Sequence, residues 1–279
     1  MNISQLKNAK IGILGIGYIG SNISAYLKKL NIRAVEITRK TLNLYKNDQF
    51  DHIINCAGNT GDFRQKLIET IESNLSLNSY ILKNIKIKYS YIYLSSSRIY
   101  GFSDNDSIIF EENSFNCYDN LNLDYIYDGS KKLTESLLIN YSKNLDYKIA
   151  ILRLSNVYGN FDCLDDSTLI KKIIRYKKNS LNSLCVKENR YSEKDYIHIN
   201  DVIESIINVM LKIKNSDVYN LAYGKSYSLD DISNILNIDI KSDETTKPTY
   251  SKISNSKIKN KFSIIFKHDL ESGLKNLIL

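Results

Sequence analysis

Of the 21 tyrosines in this 279-residue chain, Tyr127 alone has a lysine four positions on, Lys131. On a helix that spacing puts both side chains on one face, one turn apart. An ammonium so placed lowers a phenol's pKa and makes tyrosine an acid/base usable near neutral pH. Tyrosine and lysine are both abundant here, so chance also supplies such pairs, and the pair gains meaning only from what surrounds it. Ser95-Ser96-Ser97, upstream of it, closes the aromatic and branched run Tyr89 to Leu94. A hydroxyl at that strand end can hydrogen-bond a carbonyl oxygen beside the phenol, although serines also collect at strand ends for capping.

Gly15-Ile16-Gly17-Tyr18-Ile19-Gly20 follows the apolar run Ala9 to Leu14 and precedes a helical pattern from Ser21 to Leu30. A strand, a tight glycine turn and a helix in this order set a dinucleotide pyrophosphate on a helix N-terminus. One glycine allows the turn, the next lets backbone approach phosphate, and Gly20 lets helix and strand pack closely. The apolar segment is short, glycine-broken and without a small-residue cleavage site, which argues against a signal peptide.

These residues need elements to hold them. The pattern predicts a second strand over Arg33 to Ile37 and a third over His52 to Asn55. A long helical stretch from about Gln65 to Lys86 then leads into the Tyr89 to Leu94 strand. Tyr125 to Lys143 reads as a helix and Lys148 to Leu154 as a further strand. Strands alternating with helices imply an α/β fold with a parallel sheet covered on both faces, ligands lying beyond the carboxyl ends of the strands. Past Asn156 the alternation loosens into a helix over Ser167 to Lys178, a polar loop over Lys187 to Lys194 and a helix over Asn200 to Lys212. The lysine- and serine-rich Lys241 to Lys261 stretch is expected to be exposed.

At 43% apolar residues the chain can bury a sizeable core. Its net charge of +7 comes from scattered lysines with no basic block, which does not indicate nucleic-acid binding and suits a cleft for phosphorylated metabolites. Cys56, Cys117, Cys163 and Cys185 form no C-x-x-C pair, and with three histidines there is no metal-binding spacing. Reduced thiols and a cytoplasmic location are expected. No apolar stretch reaches the roughly 18 residues a membrane span needs.

Six ordered segments carry a family resemblance: the glycine turn; Asn55-Cys56-Ala57-Gly58; Ser95-Ser96-Ser97-Arg98-Ile99-Tyr100-Gly101; Tyr127-Asp128-Gly129-Ser130-Lys131; Arg153-Leu154-Ser155-Asn156-Val157-Tyr158-Gly159; and Asp195-Tyr196-Ile197-His198-Ile199-Asn200-Asp201. Together with Tyr219-Asn220-Leu221 and Ser228-Leu229 they resemble the extended short-chain dehydrogenase/reductase superfamily, in its NAD(P)-dependent nucleotide-sugar epimerase/dehydratase/reductase branch. The resemblance implies a Rossmann-type doubly wound parallel sheet over residues 1–158, with 196–222 returning to it. It implies a smaller C-terminal α/β substrate-binding lobe from 159–195 and 223–279.

The resemblance also implies roles. Tyr127 matches the catalytic acid/base, Lys131 its ribose-binding partner, and Ser96 the hydroxyl that orients the substrate oxygen. Gly15, Gly17, Tyr18, Ile19, Gly20, Ala57 and Gly58 fall where the cofactor is held, and Ser97, Asn156 and Lys194 where the sugar nucleotide is met. Lys194 replaces a customary arginine, offering a point charge where the family has a bidentate fork. The first glycine also departs from the pattern, standing at Gly15 where the family usually has it at the position of Leu14.

Members that eliminate water carry an Asp-Glu pair where this chain has Ser97 and Arg98, and 3,5-epimerases carry a cysteine where Arg98 stands. Simple reduction or oxidation, or 4-epimerisation, remains. Glu36 suits the 2′-hydroxyl of NAD and Arg39 the 2′-phosphate of NADP. Ile37-Thr38-Arg39-Lys40 resembles the second-strand end of NADP-using reductases. The expectation is an NADP-dependent 4-ketoreductase of a nucleotide-linked keto sugar, with an NAD-dependent 4-epimerase or a non-catalytic cofactor-binding sensor as alternatives. The nucleotide sugar is the expected partner, with a homodimer expected through the helix around Tyr127.

Overall fold

The structure is a computed structural model that describes residues 3–59, 61, 63–114, 122–159, 168–179 and 184–278. Its elements in chain order begin with β1 (Ile11–Leu14), α1 (Tyr18–Lys29), β2 (Ala34–Ile37), β3 (Gln49–Asn55), α2 (Leu67–Ile71), α3 (Leu77–Asn84), β4 (Lys86–Ser96) and β5 (Ile109–Phe110). There follow α4 (Asp124–Tyr141), β6 (Lys148–Leu154), β7 (Asn156–Tyr158), α5 (Leu169–Lys178), β8 (Leu184–Val186), β9 (Glu193–His198) and α6 (Ile199–Lys212). The last are β10 (Asp217–Leu221), β11 (Ser226–Ser228), α7 (Leu229–Leu236), β12 (Ile240–Ser242), β13 (Tyr250–Ile253), α8 (Ser256–Phe262) and α9 (Leu270–Ile278).

The chain divides into two compact units, Met1–Ile99 with Cys117–Arg153 and Ile203–Tyr219, and Tyr100–Asn116 with Leu154–Val202 and Asn220–Leu279. The first is built on a six-stranded parallel sheet of order β10-β6-β4-β3-β1-β2. Continuous apolar strands such as Ile11–Leu14 and Ile149–Leu152, fully buried, are what a sheet covered on both faces requires. Strand order reverses at β1, which pairs with β2 on one side and β3 on the other. Ligands of such sheets sit at that reversal, beyond the carboxyl ends, and there the chain places Gly15 and the segment after β3.

Between α2 and α3 the helix runs through a π-helical turn, Glu72–Ser76, so the single regular helix expected over 65–86 is interrupted. A buried polar network explains what the turn holds. Asn55 Nδ2 donates to the Tyr91 hydroxyl at 2.8 Å and to Asn78 Oδ1 at 3.2 Å, while Asn74 Nδ2 donates to Ser130 Oγ at 2.9 Å.

The second unit carries a sheet of order β11-β9-β13-β5, with β7 pairing β9. It gathers 100–116, a segment that the sequence placed with the first 158 residues, because β5 pairs with β13 and Ser103 bridges Tyr250. The stretch 241–261 is not uniformly exposed as expected. Ile253 and Ile258 are buried, each the apolar face of an element whose other side carries the lysines.

Candidate active site

The Gly15–Gly20 turn is set by close approach. Gly15 has φ +81°, and a Cβ on it would fall 2.6 Å from the Ala57 Cα. Its amide donates to Ile37 O at 3.1 Å, and Cys56 N donates to Leu14 O at 2.8 Å, fixing the turn between β2 and the end of β3. Gly17, the N-cap of α1, has no side-chain cap, and a Cβ there would meet nothing within 4 Å. A helix N-terminus open in this way accepts an anionic group on its backbone N–H donors. The open helix end at Gly17 is therefore of a kind that fits a dinucleotide's phosphates.

At the end of β2 Arg39 is 70% exposed in its side chain, with Glu72 Oε2 3.8 Å away. The Glu36 carboxylate accepts from Ser24 Oγ on α1 at 2.5 Å. Of the two residues that address the ribose question, the acidic one is thus committed to α1 and the basic one extends into solvent.

On β4 and α4 the structure brings Ser96, Tyr127 and Lys131 together. Tyr127 is buried, and Ser96 is among the groups that pull its phenol's pKa down. Burial pushes the phenol up to about 12, against the downward pulls of Ser96 and the Arg98 guanidinium. Ser96 Oγ accepts the Arg98 backbone N–H at 3.2 Å, which leaves the serine proton to turn toward the phenol oxygen. Lys131 is buried as well and donates from Nζ to Leu94 O at 2.8 Å, 4.8 Å from the Tyr93 ring centroid. Burial brings its ammonium down to about 8, opposed by Glu135 and Cys56. The cation named above as pulling on the phenol is thus Arg98, where sequence spacing pointed to Lys131.

Gly58 borders the same space. A Cβ there would lie 3.4 Å from Lys131 Nζ and 3.6 Å from Asn74 Oδ1. That Asn74 oxygen is buried and has no hydrogen-bond partner among the described residues, as an acceptor facing a polar ligand would be. Cys56, beside Lys131, has its thiol pushed up to about 12 by burial and is no nucleophile. Cys117 and Cys163 lie outside the described residues.

Sequence reasoning missed the charged surround. Asp124 takes a bidentate fork from Arg64, at 2.6 and 2.7 Å, and a third bond from Arg98 at 3.1 Å. Phe63 lies against Tyr127, ring centroids 5.1 Å apart. Below Lys131, Glu135 accepts from Ser95 Oγ at 2.6 Å and from both Nε and Nη2 of Arg153. Only the continued four-residue spacing Tyr127, Lys131, Glu135 signalled that pair. Ser97 is buried in the turn after β4. In the second unit, Asn156 donates to Asp195 O at 2.9 Å and Lys194 is paired with both Glu188 oxygens at 2.6 Å.

Residues 11–222 match the model of the NAD dependent epimerase/dehydratase family. The chain belongs to this family. Over 135 residues it is 28% identical to dTDP-4-dehydro-6-deoxyglucose reductase of Escherichia coli, a match covering 48% of this chain and 40% of that one. The chain thus spans less than half the length of this curated relative. Its fold is similar to that of RMD from Pseudomonas aeruginosa complexed with NADPH, with a TM-score of 0.79 at 17% identity over 97% and 98% of the two chains. It is also similar to UDP-glucuronic acid 4-epimerase from Bacillus cereus in complex with UDP-glucuronic acid and NAD, at 0.75 and 19% over 95% and 96%. These likenesses establish the extended short-chain dehydrogenase/reductase fold. Among the described residues no helix is long and apolar enough to cross a membrane.

Proposed function

We propose that this protein is an NADP-dependent 4-ketoreductase of a nucleotide-linked keto sugar. The observation that carries the reaction class is the set of groups around the Tyr127 hydroxyl. Ser96 and Arg98 supply a hydroxyl and a cationic group, while the nearby carboxylates of Asp124 and Asp128 are engaged by arginines. That set suits protonation of one oxygen, and among the described residues around it no carboxylate is left unengaged for a water elimination. The nicotinamide supplies the hydride when bound. Tyr127 donates its proton to the carbonyl oxygen as that oxygen gains charge, and Ser96 shares the charge. Lys131 holds the ribose, with Ala57 and Gly58 lining its approach. Ser97, Asn156 and Lys194 are assigned to the sugar nucleotide.

NADP is preferred to NAD because Arg39 extends into solvent at the end of β2 while Glu36 is bonded to Ser24. The similarity to NAD-dependent 4-epimerases favours a second reading in which the same three residues oxidise and re-reduce C4 with no net hydride consumption. A homodimer is part of the proposal, since α4 leaves Leu133 and Tyr141 exposed. Mixing the purified protein with NADPH and a panel of 4-keto sugar nucleotides, and following the nicotinamide absorbance, is the deciding experiment. Oxidation of NADPH supports the reductase. Interconversion of C4 epimers by the NAD-loaded protein, without net cofactor change, replaces it with the epimerase. Tight cofactor binding with neither activity leaves a sensor.

A further inference from the structure

We propose that Arg98 is a positioning residue for proton transfer. Its main chain fixes the Ser96 hydroxyl, and its guanidinium stabilises the phenolate that Tyr127 becomes. This rests on the reading of Tyr127 as proton donor. When the Tyr127 O–H bond breaks toward a substrate oxygen, the electron pair stays on a buried phenolate until a solvent proton restores the phenol. A buried anion is costly unless a cation is held near it.

The geometry supplies that cation. The Arg98 guanidinium carbon lies 5.8 Å from the Tyr127 ring centroid and 5.2 Å from that of Phe63. The side chain is pinned by two carboxylates one helical turn apart, Asp124 at 3.1 Å and Asp128 at 3.4 Å. Asp124 is held in turn by Arg64, whose guanidinium carbon lies 4.6 Å from the Phe63 centroid. The planar fork is therefore fixed before any substrate arrives, and one residue governs both the serine and the tyrosine.

The ionisable groups around Tyr127 and Arg98, among the described residues, are Tyr93 on β4, Asp124, Asp128 and Lys131 on α4, and Arg64 from the segment before α2. Lys131, brought down to about 8, loses its charge within the working pH range of an enzyme. A guanidinium does not titrate there, so Arg98 keeps a constant positive charge beside the phenol while Lys131 does not. This divides the labour: Lys131 serves the ribose, and Arg98 the phenolate.

The test replaces Tyr127 in the full chain with a single fluorinated tyrosine, whose more acidic phenol titrates in an accessible range, and follows its fluorine resonance against pH. Arg98→Met is expected to raise the apparent pKa by a unit or more, which is about tenfold less phenolate at fixed pH. Arg98→Lys should restore part of the shift. Where the Met variant does not fold, Arg98→Gln, which keeps a donor for Asp124, decides by the same criterion. An unchanged titration in the charge-free variant overturns the proposal. The titration needs no substrate, so inactivity toward keto sugars would count against the proposed function without touching this one. In an active enzyme, Arg98→Met should lower kcat with KM little changed.

Discussion

Gly20 packs so tightly on Gly15 that a Cβ at residue 20 would stand 2.0 Å from the Gly15 carbonyl oxygen, well inside van der Waals contact. Gly17, two residues past Gly15, faces open space. The two glycines of one turn therefore answer to different constraints: packing requires the first, and packing leaves the second open for the proposed dinucleotide.

Gly20→Ala should destabilise the protein at or beyond the ~3 kcal/mol upper end of ordinary overpacking. Gly17→Ala should cost no more than about 1 kcal/mol, the scale of a changed N-cap, yet weaken dinucleotide binding tenfold or more. Denaturant unfolding and cofactor titration of both variants measure this. Loss of stability without loss of affinity in Gly17→Ala would remove the phosphates from this helix end.

Arg39→Ala should lower affinity for NADP by about 10- to 100-fold, the scale of one charged hydrogen-bonded contact, and leave NAD binding nearly unchanged. Fluorescence titration with each cofactor provides the comparison. Equal losses for both would mean that Arg39 does not meet the 2′-phosphate.

Glu135 and Arg153 are each about 5% exposed in their side chains, and their closest contact is 2.7 Å. Truncating one partner leaves an uncompensated buried charge, so Arg153→Met should cost about 3–5 kcal/mol. Glu135→Gln should also remove the carboxylate that opposes the burial of Lys131, lowering the lysine's pKa further. Urea melts, with an amine-specific titration of Lys131, test both effects.

Asp128 is raised to about 6 by burial, against the pull of Arg98. An Asp in the unfolded chain titrates near 3.9, so the folded state binds the proton more tightly. Ionising Asp128 therefore costs stability, fully above about pH 6, and the cost fades as pH falls toward 4. The Asp128→Asn variant lacks this term. Its stability relative to the parent should be greater at pH 8 than at pH 4 by on the order of 2 kcal/mol. The same difference at both pH values would show an ordinary carboxyl.

Elements whose chemistry is local were legible from sequence. The run Lys148–Leu154 is β6 to the residue, and the helix carrying Tyr127 and Lys131 begins one residue from its expected start. Ser96 and Tyr127, which belong to two separate sequence motifs, meet at one phenol. What sequence could not show depends on distant partners. Arg98 looked like the mere absence of an acid, because Phe63, Arg64 and Asp124 meet it only in the folded chain. The two-residue strand β5 has no periodicity to detect, and its pairing with β13 spans more than 140 positions.

The π-helical turn at Glu72–Ser76 has a developmental logic of its own. Such a turn is in effect an α-helix carrying one surplus residue. Excising a single position from it would regularise the helix, yet swing everything on one side of the cut by about 100° around the axis. Asn74 would then lose its bond to Ser130, and the chain could not shorten here without dismantling the floor beneath its own reacting groups.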